Sequence, residues 1–84
     1  MTQKTANLVA KYEEKILTEY WLYEKGYICF EELQKNTRNK CTEFELMLSG
    51  MFSYHLISKK DHEELCCVPW HIREKIIDKA IYGK

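Results

Sequence analysis

Two sulfur–imidazole pairs are the first residues with chemistry in them: His62-x3-Cys66 and Cys67-x3-His71 place four soft donors within ten residues, and Cys29 and Cys41 stand elsewhere in the chain. Thiolates and imidazoles are the donors of structural zinc, and Cys41 or Cys29 could complete a set. No Cys-x2-Cys pair exists, however, to form the usual zinc knuckle. A neighbouring imidazolium lowers a thiol pKa, so Cys67 beside His71 has the make-up of a nucleophile. Yet no Gly-rich phosphate loop, paired-carboxylate cleft or known nucleophile motif accompanies it, and His55 and the other histidines stand apart. The expectation is therefore no catalytic residue, no metal, no cofactor and no enzyme. Adjacent Cys66 and Cys67 cannot easily share a disulfide, so the four cysteines are read as free, mostly buried thiols acting as small apolar side chains.

Eighty-four residues, 45% hydrophobic and 31% charged, are the composition of one globular domain rather than a disordered tail or a fibre. Thirteen Lys and Arg balance thirteen Asp and Glu, which excludes a protein that coats nucleic acid by charge alone. No run approaches the roughly 20 apolar residues of a membrane span, and Met1 to Ala10 has no apolar core of a signal peptide. A cytoplasmic location without membrane contact is expected. A single Pro and three Gly favour helices.

The elements that would position these residues follow from periodicity. Residues 5–25 lack Pro and Gly and carry Val9, Tyr12, Ile16, Tyr20 and Tyr23 at spacings of three and four, which predicts a first helix stopped by Gly26. Tyr27-Ile28-Cys29 reads as a brief strand, and Phe30 to Lys35 as a short helix. Asn36 to Lys40 is a polar break, after which Thr42 with Glu45 forms a capping box. Phe44, Met47, Leu48, Met51 and Phe52 then give the clearest amphipathic stripe, with Gly50 inside it as a place where another helix could approach closely. Leu56-Ile57-Ser58 and Leu65-Cys66-Cys67-Val68 flank a charged tip and predict a β-hairpin ended by Pro69, and residues 70–82 predict a last helix before Gly83.

This order of elements resembles the winged helix-turn-helix pattern of small bacterial transcription regulators. The resemblance implies a mainly α single domain over 1–84 with a small β-hairpin: a first helix, a helix-turn-helix core over 27–58, a hairpin wing over 56–68 and a C-terminal helix. It further implies a sequence-specific, double-stranded DNA-binding regulator whose Thr42 helix enters the major groove. Carried over by position, the DNA-binding candidates are Arg38, Lys40, Thr42, Ser49 and Ser53 with Glu43, Glu45 and Leu46 beside them, and Lys59 and Lys60 as phosphate contacts from the wing. From Asn36 to Lys60 four basic residues face two acidic ones, a thin footprint for DNA.

Six Tyr, two Trp and three Phe point to partners as well, because Tyr and Trp join large apolar area to a polar handle. Tyr12, Tyr20 and Tyr23 of the first helix and Tyr82 of the last are read as the seam of a homodimer, and Trp21 and Trp70 as core. The neutral surface gives a second functional reading, a compact adaptor or inhibitor of the kind phages and plasmids carry, acting by binding another protein.

Overall fold

The computed structural model describes residues 3–83, the Lys4 side chain apart. Met1 and Thr2, part of the segment read for a leader, lie outside the described residues. Four helices follow in order: α1 (Gln3–Glu24), α2 (Phe30–Ser53), α3 (Lys59–Leu65) and α4 (Val68–Tyr82). α1 packs on α2 and α4, α4 also lies on α2, and α3 packs on α2. The body is a rod 42 Å long and 19 Å across, its length set by the 24 residues of α2 at about 1.5 Å each. Apolar side chains fill it in two clusters, one of Tyr12, Phe44, Leu48, Ile57 and Leu65, the other of Ile16, Leu33, Cys41, Ile76 and Ala80. Val9, Tyr20 and Tyr23 pack against these, so the α1 stripe does face inward. Among the described residues no helix is long and apolar enough to cross a membrane.

Among the described residues there is also no strand, which corrects the β-hairpin and, with it, the winged helix-turn-helix architecture. The charged tip Lys59 to Glu64 is a helix instead. Ser58 caps it, its hydroxyl oxygen accepting the Asp61 N–H at 3.1 Å, a Ser-x-x-Asp start signal hidden between two apolar runs. Ile57 before it and Leu65 at its end both turn into the core. Pro69 does not end a strand; it stands in the first turn of α4, where its missing N–H has no helical partner to lose. Tyr27 to Cys29 is likewise a turn between helices rather than a strand.

The break read at Asn36 to Lys40 is absent, so there is no helix-turn-helix corner: α2 runs through it. Asn and Thr carry only a modest helical penalty, about 0.7 kcal/mol or less each, and here their side chains find partners within the helical frame. Thr37 Oγ1 donates to the Leu33 carbonyl at 2.7 Å and accepts from Arg73 Nε of α4 at 3.0 Å, while Arg73 Nη2 donates to the Gln34 carbonyl at 3.2 Å. Asn36 Nδ2 donates to Glu19 Oε2 of α1 at 3.1 Å. The polar run is thus the seam that ties α2 to both neighbours. Thr42, mid-helix, donates back to the Arg38 carbonyl and caps nothing. The true N-cap is Cys29, whose N–H is accepted by Glu32 at 3.3 Å.

Both long helices end in the same paired-bond motif. After α1, Tyr27 N–H reaches the Leu22 carbonyl and Gly26 N–H the Tyr23 carbonyl; after α2, Leu56 N–H reaches Met51 and His55 N–H reaches Phe52. The motif requires a left-handed residue, supplied by Gly26 at φ +81 and by His55 at φ 58. A side chain there costs about 1–2 kcal/mol, less what glycine loses by its freedom when unfolded. Gly26→Ala should therefore lower stability by about 1 kcal/mol although a Cβ meets open space, and His55→Gly should raise it by about 0.5–1 kcal/mol. Urea melts of both variants check the opposite signs.

Candidate protein-docking groove

Where α1 meets the C-terminal half of α2, the surface opens into a groove of about 510 Å³ lined by Asn7, Leu8 and Lys11 from α1, Met47, Gly50, Met51 and Tyr54 from the end of α2, and Leu56 from the turn. The helix-ending motif builds one wall, because it brings Leu56 back beside Met51, the usual apolar pair of that motif. Gly50 opens the floor: among the described residues nothing lies within 4 Å of the place a Cβ would take, so no neighbouring helix packs against it. Tyr12 anchors the base from inside, its hydroxyl 3.1 Å from Met47 Sδ and 3.4 Å from Glu43 Oε2. Burial, with the Glu43 carboxylate second, holds the Tyr12 hydroxyl above the usual tyrosine pKa. Among the described lining residues only Lys11 carries a charge. Flexible thioethers, aliphatic walls and one cation suit apolar side chains of another molecule.

The residues read for DNA contact are spread out. Arg38, Thr42, Ser49 and Ser53 are exposed on α2, with Arg38 about 22 Å along the helix from Ser53 at 1.5 Å per residue. Ser49 Oγ lies 3.4 Å from His62 Nε2, and His62 stacks on Phe52 with ring centroids 4.9 Å apart, so α3 rests against that part of α2. Lys40 is half-buried with Nζ 4.0 Å from Glu43, and the half-buried Glu45 accepts the Trp70 indole N–H of α4. Lys59 and Lys60 are exposed on α3.

Of the residues read as a dimer seam, Tyr12 is 4% exposed and has little surface to offer a partner. Tyr20 and Tyr23 are half-buried against the α4 cluster, and Tyr82 is exposed. Trp70 is half-buried, whereas Trp21, read as core, stands 51% exposed.

The cysteines also differ from expectation. All four are free, but only Cys41 is buried; Cys66 is half-buried and Cys29 and Cys67 are exposed. Among the described residues no three His, Cys, Asp or Glu side chains gather as a metal set. Burial pushes the Cys41 thiol up to about 11 despite Arg73 nearby, and it raises the Cys66 thiol too. Iodoacetamide at neutral pH should accordingly modify Cys29 and Cys67 in the native protein and leave Cys41 untouched until urea unfolds it. Mass mapping of the labelled sites checks this. Because the folded thiol holds its proton more tightly than the unfolded one, Cys41 should also lower stability as pH rises from about 9.0 towards 11.

Fold and groove together define a small all-α protein with an apolar surface cleft. Comparison with family models, with curated proteins and with solved structures gives no match for the chain. The groove itself was only partly readable beforehand: Met47, Met51 and Gly50 sat in the amphipathic stripe, but Leu8, Lys11, Tyr54 and Leu56 carried no signal separating them from ordinary core or turn residues.

Proposed function

We propose that this protein is a cytoplasmic binding module, an adaptor or inhibitor rather than a catalyst, that docks a helix of another protein in the groove between α1 and α2. The carrying observation is the groove: about 510 Å³ of space whose lining, Lys11 and Asn7 apart, is methionine, leucine, tyrosine and a bare glycine. An amphipathic helix presents apolar side chains at i, i+3 or i+4 and i+7 to such a groove, and methionines let the walls adapt to it. Lys11, the one cation among the described lining residues, favours a helix flanked by Asp or Glu. A displayed library of random 16-residue peptides is the test. Enrichment of acidic sequences with helical apolar spacing supports the reading; enrichment of nothing, or of basic or extended motifs, counts against it.

Nucleic-acid binding is the second reading, favoured by one observation: Arg38, Thr42 and Ser53 are all exposed on one unbroken helix. Fluorescence anisotropy on duplex fragments from about 50 to 200 mM salt tests it. Replacing Arg38, Lys40, Lys59 and Lys60 by Ala should make the logarithmic salt slope shallower by up to about 3.6, and an unbound parent ends this reading.

A further inference from the structure

We propose that the cavity between the C-terminal ends of α1 and α4 binds a free α-amino acid, with Glu24 receiving its ammonium and Lys79 its carboxylate. The cavity holds about 400 Å³, a volume typical of small-ligand sites and ample for one amino acid. Tyr20, Tyr23 and Glu24 reach it from the end of α1, and Lys79 and Ala80 from the last turn of α4. The turn after α1 adds Gly26 and Ile28, and the cap of α4 adds Gly83.

Charge selects the ligand. Glu24 and Lys79 carry opposite signs on one cavity, yet among the described residues neither has an ion-pair partner. A ligand with a single charge would meet one group of its own sign there, whereas a zwitterion is attracted by both. The last turn of α1 holds no basic side chain, so its carbonyl ends and Glu24 together favour a cation on that side. On the other side the Lys79 ammonium stands over the Tyr20 ring at 5.4 Å, which places the anion-binding end beside α4. The rings of Tyr20 and Tyr23 lie 6.4 Å apart, and their hydroxyls have no hydrogen-bond partner among the described residues. Two free donors are therefore left for a carboxylate. Ile28 and Ala80 add apolar surface, so an aliphatic or aromatic amino acid is expected. Lys11 of the docking groove and Tyr20 of this cavity are about 14 Å apart along α1, so the two sites stand or fall independently.

The three glycines make the test direct, because Gly26 and Gly83 line this cavity while Gly50 lines the docking groove. Their amide signals are followed in nitrogen-15 spectra of the full chain as L-phenylalanine or L-leucine is added up to about 10 mM. Gly26 and Gly83 should shift together and Gly50 should stay. Phenethylamine and hydrocinnamate, which each lack one of the two charges, should bind at least about tenfold more weakly than phenylalanine. Glu24→Gln should weaken phenylalanine about tenfold and leave hydrocinnamate unchanged; Lys79→Met should weaken it equally and leave phenethylamine unchanged. Far-UV circular dichroism confirms that both variants stay helical. The proposal is overturned if neither amino acid moves Gly26 and Gly83, or if the shift falls on Gly50 instead. Analogues that bind as tightly as phenylalanine, or variants that bind it as tightly as the parent, overturn it as well.

Discussion

Phe44→Ala is expected to remove about 3–5 kcal/mol of folding stability. Phe44 is fully buried, and its ring meets Tyr12 of α1 at 5.5 Å in the cluster that also takes Ile57 and Leu65. It therefore joins the two long helices to the turn and to α3 at once. Truncating a buried phenylalanine costs about 3–5 kcal/mol, lost transfer energy plus the cavity left behind. An 84-residue domain has in total about 4–13 kcal/mol to lose. The urea midpoint should fall accordingly, and a change below about 1 kcal/mol would show that Phe44 is not where α1, α2 and α3 are held.

Gly50→Leu should separate folding from binding. The added side chain enters open space, and replacing glycine inside a helix contributes about 0.8–1 kcal/mol of helix propensity. The melting temperature should hold or rise by about 4–8 °C per kcal/mol for a domain of this size. The leucine would, however, fill the groove between Met47, Met51 and Tyr54, so affinity for a groove-binding peptide should fall by at least about tenfold, or 1.4 kcal/mol. A scan of melting temperature beside a peptide titration reads both effects. A destabilised variant with unchanged affinity would reverse the assignment of Gly50 from groove floor to packing contact.

The helical stripes were legible because burial imposes a period of 3.6: Tyr12, Ile16, Phe44 and Leu48 announce themselves by spacing alone. So did the stop at Gly26, whose left-handed backbone suits glycine. His55 performs the same job after α2 with a residue that carries no such signal, yet the apolar stripe itself fades at Tyr54 or His55, where the helix does end. Asn36 to Lys40, by contrast, misled. A polar run reads as a loop unless its partners are known, and those partners, Glu19 and Arg73, lie 17 and 36 residues away in sequence from Asn36 and Thr37. Local pattern cannot report such bonds. The hairpin failed because Leu56-Ile57 and Leu65-Cys66 are apolar runs too short to distinguish strand from helix flank, and Ser58 with Asp61 was the discriminating signal. Nor can spacing tell which member of an apolar stripe stays outside. Trp21 and Met47 look like core in sequence, and only the placement of α4 and α1 leaves them at the surface.

The central claim is that the α1–α2 groove is the working surface, and the methionine methyl resonances of Met47 and Met51 test it most directly. With three methionines in the chain, 13C-methyl spectra are simple to assign. Adding a library-selected acidic helical peptide should shift both groove methyls together, and Gly50→Leu should abolish the shifts while the protein remains folded. Peptide binding that leaves Met47 and Met51 unmoved and instead perturbs the Arg38 to Ser53 face of α2 would contradict the account.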